Sequence, residues 1–332
     1  MKNLSIIGGG SWGTALAIVL APRFEKVRLW VFESDLAARM KESGENDVYL
    51  PGSTLPANVL PTSDLADAME GAEIVLSVMP SHLVRGVYTR MLEFLHPSLL
   101  FVSATKGLEN ESLLRVSEVI RDVVRPRFEP RVAVISGPTF AKEVARFEPT
   151  ALVVASDDQG LTATVQAAFS GPTFRLYTST DPVGVEVGGS IKNVVAIGAG
   201  VLHGMGLGHN ATAALITRGL AEMTRLAVAM GGKPLTLAGL AGLGDLVLTC
   251  TGDLSRNRTV GVELAKGRKL DEIVRSMKMV AEGIKTTNAA VDLARRHGVE
   301  MPISEQMFQM LHFGISPRDA IQRLMERSLK GE

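Results

Sequence analysis

A parallel sheet covered by helices on both faces, followed by an all-helical half, is the fold class that three observations in this sequence predict. Short β-branched runs alternate with stretches of helical periodicity through the first half, the pattern of βαβ units. After about Asp181 the strand signals stop and long helical patterns take over. At 332 residues the chain is near twice the usual domain length, which suggests a division into residues 1–185 and 186–332.

In chain order, the expected strands are Leu4 to Ile7, Val27 to Phe32, Glu73 to Met79, Leu99 to Ser103, Val132 to Ile135, Ala151 to Ala155 and Phe174 to Tyr177. Trp12 to Leu20 and Leu113 to Val124 are expected helices between them. Asn46 to Pro61 carries three prolines and two asparagines and reads as a loop, long enough to be functional. Ser179-Thr180-Asp181-Pro182 supplies an N-cap and an opening proline for a long helix over Val183 to Val201. Further helices are expected over Ala211 to Met230, Thr286 to His297 and Pro317 to Leu329.

Composition narrows the function classes. With 35 basic and 35 acidic residues and 46% apolar residues, neither a disordered tail nor a protein that coats nucleic acid is expected. Only 5% of residues are aromatic, too few for platforms that stack bases. One cysteine, Cys250, precludes an internal disulfide, and the six histidines show no pair at metal-ligand spacing, so a reducing cytoplasm and no metal are expected. Gly8, Gly9, Gly10 and Gly13 interrupt Leu4 to Leu20, which argues against a signal peptide. The later apolar run Val194 to Leu202 falls short of the roughly 20 residues that span a bilayer, so a soluble protein without stable membrane association is expected.

The first site signal is IIGGGSWGTALA, where Gly8, Gly10 and Gly13 form G-x-G-x-x-G between an expected strand and an expected helix. In that setting the first glycine allows a tight turn, the second lets a pyrophosphate approach the backbone, and the third lets the helix pack closely. The first half is therefore read as a Rossmann-type dinucleotide-binding domain. Glu33 ends the second strand 20 residues after Gly13, where a carboxylate accepts hydrogen bonds from ribose hydroxyls and repels a 2′-phosphate. That favours NAD, with NADP left open because Arg28 and Arg39 lie nearby in sequence.

Lys106 in ATKGLE lies just beyond the fourth expected strand, and Gly137 and Thr139 in SGPTFAKE just beyond the fifth, so all three face the same crevice as the glycine loop. Lys192 sits alone in the apolar, glycine-rich VGGSIKNVVAIGAG, where an unpaired ammonium is costly unless something uses or compensates it. GLAGLGDLVLTCTGDLSRNRTVG offers Asp245 as a partner and then Ser255, Arg256, Asn257 and Arg258, a natural phosphate clamp. Ser255 followed by charged residues is equally what an ordinary helix N-cap looks like.

Over nearly its whole length the chain resembles NAD(P)-dependent glycerol-3-phosphate dehydrogenase. GGGSWGTALA, ATKGLE, GPTFAKE, SIKNVVAIGAG, GLGDLVLTCTGDLSRNRTVG and VAEGIKTT occur in that family's order and spacing. The resemblance implies that Lys192 is the general acid/base and that Lys106 contacts both nicotinamide and substrate. It implies substrate contacts at Gly137, Thr139, Asp245, Ser255, Arg256 and Asn257. The coenzyme contacts it implies are Ser11, Trp12, Tyr49, Ala141, Arg256, Val280 and Glu282. Where many bacterial relatives carry Arg or His after the second strand, this chain has WVFE with Phe32 and Glu33, which is similar to the eukaryotic NAD-linked enzymes.

The reaction so implied is reversible hydride transfer that reduces dihydroxyacetone phosphate to sn-glycerol 3-phosphate and supplies glycerophospholipid synthesis, in a cytoplasmic homodimer. For Lys192 to exchange a proton near neutrality its pKa should fall from ~10.4 to roughly 7 to 8. A β-hydroxyacid dehydrogenase would place an asparagine one turn after the lysine, a position that is Ala196 here, with Asn193 adjacent instead. A coenzyme-sensing regulator would need a partner surface or a basic DNA-reading helix, and the neutral charge argues against the latter. The C-terminal run from Arg327 to Gly331 reads as a solvated helix end rather than a lipid contact.

Overall fold

The computed structural model describes residues 1–277, 281–329 and 331. The apolar runs become strands and the periodic stretches become helices in the order β1 (Asn3–Ile7), α1 (Ser11–Leu20), β2 (Lys26–Trp30), α2 (Ser34–Ser43), β3 (Val59–Thr62), α3 (Leu65–Met69), β4 (Ile74–Ser77), α4 (Val84–Met91), β5 (Leu100–Ser103), α5 (Val116–Val124), β6 (Arg131–Ser136), α6 (Ala141–Ala145), β7 (Thr150–Ala155), α7 (Gln159–Phe169) and β8 (Phe174–Ser179). The second half is helical: α8 (Pro182–Gly204), α9 (His209–Ala229), α10 (Pro234–Leu237), α11 (Asp245–Thr251), α12 (Arg256–Ala265), α13 (Leu270–Ser276), α14 (Glu282–His297), α15 (Pro302–Phe313) and α16 (Pro317–Met325). A π-helical turn, Leu240–Gly244, leads directly into α11.

The eight strands form one sheet in the order β3-β2-β1-β4-β5-β6-β7-β8. β1 to β6 are parallel, so the loops after β1, β2, β5 and β6 share one edge, as the sequence predicts. Three expectations fail. β7 runs antiparallel to β6 and carries β8 with it, because only the short α6 follows β6 and no full crossover helix returns the chain to its starting end. The segment Asn46 to Pro61, expected to be loop throughout, enters strand β3 at Val59; Pro61 is tolerated because β3 is an edge strand. The helix expected from Leu113 starts only at Val116, since Leu113 itself takes a left-handed turn conformation with φ 62°.

Apolar residues of α1, α2 and α7 pack on one face of the sheet, and those of α3, α4 and α5 on the other. The third core is built around α8, whose residues from Val185 to Leu202 are all buried. α8 starts as the sequence signals: Asp181 accepts the Gly184 N–H at 2.8 Å, and Pro182 opens the first turn. The expected dividing point, 185/186, lies in the first turns of this helix. α8 and the stretch Pro234–Thr251 are each long and apolar enough to cross a membrane although neither is an unbroken apolar run, and the apolar window of α8 is wholly buried inside the fold.

Glycines let neighbours close on α8. A Cβ at Gly200 would stand 1.9 Å from the Arg258 carbonyl oxygen, and one at Gly261 would stand 1.9 Å from that of Ile197, so α8 and α12 cross in near backbone contact. The two halves are also bonded. Glu186 of α8 accepts hydrogen bonds from the Ser117 N–H at 2.8 Å and from Arg115 at 2.6 Å, and the Ser190 hydroxyl accepts the Gly107 N–H at 3.0 Å.

Candidate active site

The crevice between the halves has two ends. At the first, β1 turns into α1 through Gly8, whose φ of 126° suits glycine and whose Cβ would lie 2.4 Å from the Val78 carbonyl oxygen. A Cβ at Gly13 would lie 1.8 Å from the Gly8 oxygen, whereas one at Gly10 meets nothing within 4 Å. Gly10 thus borders open space at the start of α1, which has no side-chain cap and no acidic residue in its first turn. Backbone N–H groups with positive dipole facing open space fit a pyrophosphate. Ser11 and Trp12 begin the same helix.

Glu33, the N-cap residue of α2, accepts the Tyr49 hydroxyl proton at 2.7 Å; this bond and burial push Tyr49 up to about 12. Phe32 is 71% exposed and meets Trp30 edge-on. The two arginines near Glu33 are both paired: Arg28 turns to Asp67 and Glu70 near α3, and Arg39 pairs with Asp47. Asn46, which sequence reasoning did not single out, donates to the Gly9 carbonyl and to Thr14 Oγ1, each at 2.8 Å, and so ties the 46–49 segment to the glycine loop.

At the other end, Lys106, Lys192 and Asp245 converge as the sequence predicts. Gly107, with φ 112°, turns the chain after β5 and leaves the Lys106 Nζ 2.7 Å from Asp245 Oδ2 and 3.2 Å from the Gly137 carbonyl oxygen, with Thr139 Oγ1 at 3.5 Å. Lys192, from the middle of α8, bonds Asp245 Oδ1 and lies 2.8 Å from Thr249 Oγ1. Asp245 is fully buried and bridges two ammonium groups from opposite halves. Burial pushes Lys192 down to about 7, opposed by the Asp245 charge and reinforced by Lys106.

Thr249 was missed. Its hydroxyl donates to the Asp245 carbonyl at 2.6 Å and its lone pair receives Lys192; the signal was its place four residues after Asp245 on one helix face. Cys250, beside this cluster, is buried, which pushes its thiol up to about 12 and leaves it an inert packing group.

The phosphate-clamp run lies at the start of α12. Ser255 is its N-cap, accepting the Arg258 N–H at 3.2 Å, so the capping role weighed in the sequence is real and its hydroxyl proton remains to donate elsewhere. Asn257 is buried, donating to Asn193 at 2.9 Å and accepting the Gly283 N–H at 2.9 Å; its side chain joins three helices rather than lining open space. Arg256, the first residue of α12, reaches solvent with protein on most sides, and this burial lowers its pKa against the pull of Glu282. Glu282, first residue of α14, is pushed up to about 7 by burial, opposed by Arg256, Lys106 and Lys192. Ala141 opens α6. Val280 lies outside the described residues.

Two family models match the chain: NAD-dependent glycerol-3-phosphate dehydrogenase N-terminus over residues 3–162 and the C-terminus of the same over 181–322. A glycerol-3-phosphate dehydrogenase [NAD(P)+] of Koribacter versatilis is 60% identical over 329 residues, covering 98% of both chains. One from Citrifermentans bemidjiense is 52% identical over 331 residues, covering 100% of this chain and 99% of its own. The crystal structure of glycerol-3-phosphate dehydrogenase from Coxiella burnetii superposes with a TM-score of 0.94 at 42% identity, covering 98% of this chain and 99% of that one.

Proposed function

This chain belongs to the NAD-dependent glycerol-3-phosphate dehydrogenase family, and on that premise we propose that Lys192 is the proton donor and acceptor of its reaction, with Asp245 and Lys106 as its partners. The enzyme is an NAD(P)-dependent oxidoreductase acting on a CH–OH group, and it interconverts dihydroxyacetone phosphate and sn-glycerol 3-phosphate, the three-carbon phosphate that glycerophospholipid synthesis consumes. One observation carries the assignment of roles: a single buried carboxylate, Asp245, holds two lysines from opposite halves at the floor of the crevice.

When bound, the nicotinamide coenzyme supplies or takes the hydride. Gly8, Gly10, Ser11, Trp12 and Gly13 would hold its pyrophosphate, Phe32, Glu33 and Tyr49 its adenosine side, and Lys106, Ala141, Arg256 and Glu282 its nicotinamide side; the resemblance adds Val280 as a further coenzyme contact. During reduction the ketone carbon gains the hydride, its oxygen is left as an alkoxide, and Lys192 gives that oxygen a proton; in oxidation the neutral amine takes it back. A pKa near 7 supports both directions at neutral pH. Asp245 orients the Lys192 ammonium, and Lys106 keeps a second positive charge beside the developing oxyanion. Gly137 and Thr139 line that end, while Arg256, Ser255 and the N-terminus of α12, including Asn257, receive the phosphate. Remote phosphate binding then fixes the reacting carbon.

We divide the chain at 185/186 into a dinucleotide-binding half and a substrate half, and place the enzyme in the cytoplasm as a homodimer, a reading supported by the family and by the lone buried Cys250. Initial rates with dihydroxyacetone phosphate, measured with NADH and with NADPH beside a hydroxyacid-type control, test the whole proposal. The expected result is turnover of the phosphate substrate alone, faster with NADH. Coenzyme binding without turnover would instead identify a coenzyme sensor.

A further inference from the structure

The 46–49 segment is tied at three points to the elements of the coenzyme end. Asn46 is buried on the Gly9 carbonyl, Tyr49 is bonded to Glu33, and between them Asp47 takes Arg39 of α2, with Nε–Oδ2 at 3.3 Å and Nη2–Oδ1 at 3.2 Å. Tyr49 occupies Glu33 Oε1 and leaves the second carboxylate oxygen to accept ribose hydroxyls. Of the two arginines that flank Glu33 in sequence, Arg28 is committed to Asp67 and Glu70 on the α3 side, which leaves Arg39, on the α2 helix that Glu33 caps, as the fork that could match a 2′-phosphate. Asp47 holds that fork at two points.

We propose that Asp47 is a specificity-determining residue: by pairing with Arg39 it withholds the cation that a 2′-phosphate needs, and so biases the enzyme toward NAD. This rests on reading the Glu33 end as the ribose site. Glu33 acts on the ribose directly, whereas Asp47 acts through Arg39, so the two contributions separate experimentally. The Arg39–Asp47 pair is half exposed, at 47% and 53%, so it breaks without disturbing the fold and its effect is moderate.

The test is direct titration of the protein with NADPH and with NADH, reading dissociation constants, together with the NADPH to NADH ratio of kcat/KM. Asp47→Asn should tighten NADPH by about threefold to fivefold, the upper range for a freed exposed ion pair, and leave NADH within about twofold. Adding Arg39→Ala to Asp47→Asn should cancel the gain. An unchanged NADPH affinity in Asp47→Asn overturns the proposal, as does a gain that survives in the double variant, since removing a negative charge alone would then explain it. Glu33→Gln is the control for the underlying reading. If it shifts the ratio and Asp47→Asn does not, only the Asp47 proposal fails; if Glu33→Gln shifts nothing, the ribose assignment itself is wrong.

Discussion

At one end of the crevice the groups that face negative charge are backbone N–H groups of α1, held open by Gly8, Gly10 and Gly13; at the other they are two lysine side chains that share the buried Asp245. A backbone site needs no particular side chain but cannot accept carbon where chains nearly touch. A side-chain site tolerates changes of shape better than changes of charge, because each ion there is compensated by the others. The contrast separates binding from chemistry, and substitutions at each end should separate them too.

The largest effect is expected from Lys192→Ala, which should lower kcat by about 10²- to 10⁴-fold, the usual worth of a general acid, while leaving coenzyme dissociation constants within about twofold. Near-full turnover in that variant would remove Lys192 from its role. In the native enzyme, ketone reduction should slow as pH rises through about 7, because the protonated ammonium is the donor, and alcohol oxidation should speed up over the same interval. Burial is the main cause of the low pKa and Lys106 a lesser one, so Lys106→Ala should move both inflections to higher pH; a pH–rate profile that stays put would deny the coupling.

Gly13→Ala should produce the opposite signature, weakening coenzyme binding by at least about tenfold through displacement of the glycine loop, since the new methyl group would collide with the Gly8 carbonyl oxygen. Calorimetric titration reads it, and unchanged affinity would mean that α1 can shift away. A smaller loss tests the bond between the halves. Ser190→Ala leaves the buried Gly107 N–H without its acceptor, about 1–3 kcal/mol, and should lower kcat by roughly tenfold with coenzyme affinity intact. Loss of thermal stability alone, with native kcat, would reduce Ser190 to a structural bond.

The glycine loop was legible because backbone geometry dictates glycine at fixed spacing. Lys192 was legible because a lone cation in an apolar run demands an explanation, and Asp245 because it follows a glycine-rich turn in the next polar stretch. Thr249, Ser190 and Asn46 were not, since hydroxyl and amide side chains satisfy their own backbone in so many settings that a sequence does not show which cross to another element. The side-chain partners of Asn257 were hidden for the same reason: Asn193 and Gly283 are distant in sequence, so the amide that reads as part of a clamp is spent between helices and only the backbone of Asn257 is left to the α12 N-terminus. The direction of β7 was hidden because alternation along a strand is the same read either way, and β3 because proline is punctuation everywhere except at a sheet edge.

The near contact of α8 with α12 at Gly200 and Gly261 makes a gauge block of the helical half. With no side chain between the two backbones to compress or swing, Lys192 on one helix and Ser255 to Asn257 at the head of the other keep a preset spacing before any substrate arrives. With the roles proposed for these residues, that spacing would measure a ligand from its oxygen to its phosphate, and a homologue longer by one methylene should be turned over more slowly even where it binds, which competition between the two ketone phosphates would reveal.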